Sequence, residues 1–216
     1  MSRYMKKGKF ITFEGSEGVG KSTNILLVKE HLESQNIDLL LTREPGGTPL
    51  AENIRALLLN KSDEKIDETC ELLMVFAARA QHLNTVIIPA LNKGVWVLCD
   101  RFTDSTYAYQ GGGRGLNTKL ISELEKVVQQ GLMPDLTFYL DIDVRLGLSR
   151  ASARAELDRF ESEEIDFFER VRFAYLERVK TGLRNKHYRL IDAGQELALV
   201  QKNILASLDE FLASLA

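Results

Sequence analysis

Eight consecutive residues carry the clearest chemistry in this chain: Gly15, Ser16, Glu17, Gly18, Val19, Gly20, Lys21 and Ser22, which spell G-x-x-x-x-G-K-[ST]. Glycines here let the backbone wrap an anion, so several N–H groups and the positive end of a following helix converge on phosphate oxygens. In such a cradle Lys21 reaches the β- and γ-phosphates and the Ser22 hydroxyl binds Mg²⁺. The flanks agree. Phe10–Phe13 reads as a short apolar strand and residues 21–34 as a helix, which puts the loop at a strand-to-helix turn. A glycine-rich turn matching by chance would not need lysine and serine in register.

Other residues could share that edge. Val95–Asp100 is an apolar run ending in an acid, whose carboxylate can hold Mg²⁺ directly or through water. Arg101 follows, and successive residues at a strand end point in different directions, so it can face a second phosphate. Arg43 ends another strand. Lys21, Arg43 and Arg101 at one edge would repel one another unless an anion neutralised them, which argues for a second phosphate site. Arg79 comes three and four residues after Phe76 and Val75, on the apolar face of a helix. A buried arginine needs a partner, either a structural ion pair or a polar group on a mostly apolar ligand, such as a nucleobase carbonyl. The charged run Ser149–Arg159 reads as a solvated face or, given phosphoryl chemistry, as an arginine-bearing lid that excludes water.

These residues need elements to hold them. Strand-like runs at 10–13, 39–42, 95–99, 136–140 and 189–191 alternate with helical patterns near 21–34, 48–59, 66–90, 117–130, 143–155, 164–183 and 196–213. That alternation implies right-handed crossovers and a parallel sheet covered on both faces. Ligands then bind beyond the carboxyl ends of the strands. Asp192-Ala193-Gly194 lies at such an end but reads as a loop opening the last helix. Thr48 suits an N-cap and Pro49 a first helical residue.

The 216 residues suffice for one domain, 1–216, with a lid at about 149–160. A hydrophobic share of 44% with 27% charged residues is an ordinary globular balance, and a net charge of −3 leaves no footprint for nucleic acid or anionic membrane. Cys70 and Cys99 make no metal or disulfide pattern, and Cys99 reads as a core residue. No stretch is expected to span a membrane, and the expected location is cytoplasmic.

The segments Gly15–Ser22, Thr42–Pro49, Phe76–His82, Asp100–Ser105, Ala108–Gly115 and Pro134–Leu136 together resemble bacterial thymidylate kinases, over nearly the whole chain and in the right order. The resemblance implies an α/β P-loop nucleoside monophosphate kinase fold: a five-stranded parallel sheet flanked by helices on both faces, with a short lid. It implies transfer of the ATP γ-phosphoryl group to dTMP with Mg²⁺, giving dTDP and ADP in dTTP biosynthesis. Carried onto this chain, Arg43 and Arg101 hold the dTMP phosphate and Arg79 addresses the thymine. Ser105 and Gln110 help to fix the base. Tyr109 packs against the deoxyribose and Glu17 reaches its 3′-hydroxyl. Phe76 stands one residue beyond the usual thymine-stacking phenylalanine, a place taken here by Val75, which leaves Phe76 two readings: a dTMP contact that stacks on the base, or packing alone. One subclass carries an arginine at the position of Gly18; its absence assigns the catalytic cation to the lid, with Arg154 the candidate, while Arg150 packs on the adenine. The catalytic set is then Lys21, Arg101, Arg154 and Glu17, with Ser22 and Asp100 toward the metal. The family also implies a homodimer packed through long helices, 66–90 among them.

The alternatives are a deoxynucleoside kinase or another nucleoside monophosphate kinase and, from a different class, a nucleotide-dependent switch. A nucleoside kinase would not need both Arg43 and Arg101. A nucleotide-dependent switch would want Asn-Lys-x-Asp, and Asn92-Lys93-Gly94-Val95 fails at its last position.

Overall fold

The computed structural model of the chain describes residues 7–153, 158–182 and 187–215. Five strands, β1 (Phe10–Glu14), β2 (Leu39–Arg43), β3 (Trp96–Asp100), β4 (Leu136–Asp141) and β5 (Tyr188–Asp192), form one sheet in the order β2-β3-β1-β4-β5. Every pairing is parallel, as the alternating pattern predicts.

Side chains alternate across the sheet. On one face Ile11, Phe13, Leu98 and Phe138 meet Val28 and Leu32 of α1 (Lys21–Ser34) and Ile204 and Leu208 of α9 (Leu197–Ala213). On the other, Phe10, Val97 and Cys99 meet Leu83, Ile87 and Phe102, while Tyr139 packs on Phe168, Val171 and Tyr175 of α8 (Ile165–Gly182). Helices therefore cover both faces.

Local sequence sets the helix starts. The Thr48 side chain accepts from Ala51 N and Pro49 opens α2 (Pro49–Leu59). Asp67 caps α3 (Glu68–His82) and Asp143 caps α7 (Val144–Ser152) in the same way. The helix expected over 66–90 is divided. After α3 the coil widens into a π-helical stretch, Leu83–Ile87, before α4 (Ile88–Asn92). Pro89 supplies no N–H to the preceding turn, which accounts for the widening.

A second helical segment has no counterpart in the sequence reading. α5 (Thr103–Thr106) runs into a π-helical stretch, Tyr107–Gly113, ahead of α6 (Thr118–Gln129). Its three glycines hide it from propensity. Gly112 is needed for contact: a Cβ there would lie 2.6 Å from Ala174 Cβ and 2.8 Å from the Arg170 carbonyl oxygen on α8.

One helix meets the length and composition of a membrane span. Glu68–Asn92 is a 25-residue helical run with a mean hydropathy of 1.2 in its most apolar window, enough to cross a bilayer by length and composition. Its buried Glu71, Arg79 and His82 sit in ion pairs within the protein, which marks it as a core helix.

Candidate active site

Arg43 pairs with Asp100, and Asp100 with Phe13, in the sheet register, so the carboxyl ends of β2, β3 and β1 lie side by side. Whatever follows these strands shares one edge. After β1 comes the phosphate-type loop. Val19 anchors it in the core, Ser16 is buried, and Gly15, Gly18 and Gly20 all have positive φ. Lys21 Nζ donates to the carbonyls of Gly15 and Ser16, both at 2.9 Å. Burial, and then the charge of Arg101, hold its pKa below the ordinary lysine range, a penalty that an anion in the loop would relieve.

Ser22 is exposed in the first turn of α1, and Asp100 Oδ1 is buried with no hydrogen-bond partner. A bare buried carboxylate oxygen is costly, and a cation or its bound water supplies the missing partner. Among the described residues no group of three or more His, Cys, Asp or Glu could hold a metal. A hydroxyl and one unpartnered carboxylate oxygen are hard donors that fit Mg²⁺, which takes most of its ligands from phosphates and water.

Arg101 follows β3 with φ 68, a left-handed conformation that costs a bulky residue about 1–3 kcal/mol. The turn is held by Phe102 N–H donating to Glu14 Oε1 at 2.7 Å. Arg101 Nη1 donates to the Gly15 carbonyl at 2.8 Å and to Tyr175 OH at 3.1 Å; Nη2 donates to Glu17 Oε1 at 2.6 Å and to Tyr109 OH at 3.0 Å. Tyr109 also donates to Glu17, at 2.7 Å, with its ring under the guanidinium.

Two carboxylates offset part of the expected repulsion: Glu17 pairs with Arg101, and Glu52 of α2 with the half-exposed Arg43 at 2.9 Å, while the charge of Arg101 still acts on Lys21. Sequence reasoning missed Arg55. It lines the cleft and donates to the Pro45 carbonyl at 2.9 Å, and burial together with the charges of Arg43 and Arg101 lowers its pKa. Its three-residue spacing from Glu52 on α2 was the available signal.

Arg79 is 2% exposed and forms the structural ion pair that burial demands. Nε donates to Glu44 Oε2 at 2.6 Å, and Nη2 to the Phe102 carbonyl and Thr106 Oγ1. Nη1 is buried without a partner on a side chain that lines the cleft. His82 completes the support, joining Glu44 to Thr42. Phe76 takes the packing place of its two readings. It packs on Leu72 and Ile121 behind the cleft, with Arg79 over its ring, and Val75 forms the wall instead. A one-residue offset turns a helical side chain by about 100°, which accounts for the exchange.

Ser105 and Gln110 both line the cleft. The Ser105 hydroxyl donates inward to Glu14 Oε2 at 2.6 Å, so toward a ligand it is left to accept; Gln110 Nε2 donates to Glu71 at 2.8 Å. Phe160 and Asp158 close the far side, and the cleft encloses about 660 Å³ including its open mouth. Arg150 donates to the Ala193 carbonyl at 2.9 Å, beside the loop that opens α9. Arg154 lies outside the described residues.

Comparison with known proteins matches this arrangement. The family model for thymidylate kinase covers residues 13–204. A thymidylate kinase of Teredinibacter turnerae is 60% identical over 205 residues, 95% of this chain and 99% of that protein. The corresponding protein of Ectopseudomonas mendocina is also 60% identical, over 95% of this chain and 97% of its own length. A crystal structure of thymidylate kinase from Ehrlichia chaffeensis superposes with a TM-score of 0.74 at 33% identity, covering 94% of this chain and 99% of that one. The fold, the phosphate-type loop with its facing arginines, and these matches agree: the chain belongs to the thymidylate kinase family.

Proposed function

We propose that the cleft divides the family's reaction among the residues described above, with one guanidinium serving both nucleotides. The reaction is transfer of the ATP γ-phosphoryl group to dTMP, giving dTDP and ADP in dTTP synthesis. One observation carries the assignment: Arg101 touches Gly15 of the phosphate loop with one nitrogen, and Glu17 and Tyr109 of the acceptor cleft with the other. A group in that position stabilises charge on the phosphoryl group as it passes between two sites.

The loop from Gly15 to Ser22 then cradles the ATP phosphates, and Lys21 exchanges its two carbonyl partners for phosphate oxygens. Ser22 and Asp100 would hold Mg²⁺, which would supply positive charge to the phosphates. Arg43, Arg55 and Arg101 receive the dTMP phosphate. Tyr109 and Glu17 take the deoxyribose, while Arg79, Val75, Ser105 and Gln110 surround the base. Arg150, fixed on the Ala193 carbonyl, offers its flat face to the adenine.

Gly18 has no space for a side chain, since a Cβ there would stand 1.9 Å from the Gly147 carbonyl oxygen. That supports a catalytic cation from the lid at about 149–160, assigned to Arg154. The whole chain works as one kinase domain in the cytoplasm. A homodimer is supported by exposed Leu50 and Leu57 on α2, Leu73 on α3 and Val127 on α6, which stand on adjoining helices.

A coupled assay with dTMP, thymidine, dUMP, UMP and AMP tests the function. Turnover should be greatest with dTMP and should require Mg²⁺. Activity on thymidine alone would overturn the assignment.

A further inference from the structure

Glu71, Val75 and Arg79 follow at four-residue spacing along α3 and share one stripe of the helix. Val75 and Arg79 line the cleft, and Glu71 stands behind it, 1% exposed. Its carboxylate collects three donors. Gln110 Nε2 reaches Oε1 at 2.8 Å, Arg114 Nε reaches the same oxygen at 3.3 Å, and Arg159 Nη2 reaches Oε2 at 2.6 Å. None of the roles assigned above uses this residue.

A carboxylate only accepts hydrogen bonds. Gln110 must therefore turn its NH₂ toward Glu71, and the planar amide sends the carbonyl oxygen the other way. Gln110 lines the cleft, so what it has left for a ligand is an acceptor. Arg79 Nη1, buried and unpartnered, supplies a donor. One donor beside one acceptor matches thymine, where O4 accepts and N3–H donates. Cytosine presents the reverse, an amino donor beside an N3 acceptor, and both of its groups would meet like groups.

We propose that Glu71 is a positioning residue that holds the Gln110 amide with its oxygen toward the base, and so selects thymine over cytosine. The inference rests on the dTMP site described above. Arg114 and Arg159 keep the carboxylate in place. Arg159 comes from the segment assigned to the lid and also donates from Nε to the Leu58 carbonyl at 2.6 Å, so base selection and the end of the lid share one anchor.

The test compares kcat/KM for dTMP and dCMP in wild-type protein and in Glu71→Gln. In the variant Arg159 holds the new amide oxygen, the new NH₂ faces Gln110 at the loss of the longer 3.3 Å bond from Arg114, and the Gln110 amide rotates to present a donor to the cleft. The dTMP-to-dCMP preference should fall by about tenfold or more. A merely structural role would lower both substrates alike, and an unchanged ratio in folded variant protein overturns the proposal. Should that variant not fold, Gln110→Leu decides, since it leaves the ion pairs intact. Loss of dTMP turnover with dCMP unaffected supports the proposal, and an unchanged ratio overturns it. Wild-type protein inactive on dTMP would instead refute the functional assignment itself.

Discussion

Arg55 sits where positive charge exceeds what its neighbours neutralise. Glu17 and Glu52 are committed to Arg101 and Arg43, while Arg55 among the described residues donates to the Pro45 carbonyl and forms no ion pair. Its guanidinium is disfavoured by burial and by those two arginines, and an arriving phosphate removes the penalty. Arg55→Ala should therefore lower kcat/KM for dTMP by about 10²-fold and leave the KM for ATP nearly unchanged. Because it deletes a charge at odds with its surroundings, it should not lower the melting temperature without ligand. Steady-state kinetics in both substrates and a thermal melt check this, and an unmoved dTMP term would remove Arg55 from the site. The proposed function gives Arg154 a role on the transferring group rather than in binding. Arg154→Ala should cut turnover by about 10³-fold or more, the low end of what an arginine finger contributes, with smaller changes in either KM. Near-normal turnover would refute the assignment.

At the scale of elements, α7 rides directly on the phosphate loop. A Cβ on Gly147 would lie 2.6 Å from the Glu17 carbonyl oxygen, and one on Gly18 would lie 1.9 Å from the Gly147 carbonyl oxygen. Two backbones in contact leave no compliant side chain between them. Gly147→Ala must push α7 off the loop, at about 1–3 kcal/mol for the overpacking, and it moves Arg150 and the start of the lid with it. The KM for ATP should rise about tenfold while that for dTMP changes less, and unaltered ATP kinetics would show the contact to be slack. The same scale explains what the sequence made legible. Strands and long helices were readable because Ile11 and Phe13, or Val28 and Leu32, repeat at the period of their element. Arg43, Asp100 and Arg101 were readable because they end strands. The contact between Gly18 and Gly147 was not, since it joins positions far apart in sequence whose only signal is a missing side chain. The role of Phe76 stayed open and Arg55 was overlooked for a related reason: which face of a helix meets the cleft depends on the neighbour it packs against, and a single helical pattern does not specify that neighbour.

Across the whole molecule, one carboxyl joins the central strand to the acceptor cleft and to α8. Glu14 ends β1 and accepts from Phe102 N–H, from the Ser105 hydroxyl and from Tyr175 OH of α8. Asp104 stands nearby, itself held by Arg178 of α8 and by Tyr188 of β5, and Arg101 lies on the other side. Burial first, and then the charge of Asp104, raise the Glu14 pKa from 4.5 to about 7. The folded protein thus holds a proton that the unfolded chain releases near pH 4.5. Stability from this group is fully present below that pH and is lost as pH rises through about 7, because the native state binds more protons in that window. At about 1.4 kcal/mol per pKa unit the loss is on the order of 3 kcal/mol. Glu14→Gln keeps a neutral group of the same shape, so its denaturation free energy should be flatter between pH 4.5 and 7, and its advantage over wild type should grow toward pH 7. Denaturant titrations at several pH values measure the difference. Parallel curves for the two proteins would mean that Glu14 ionises at its ordinary pH despite its burial.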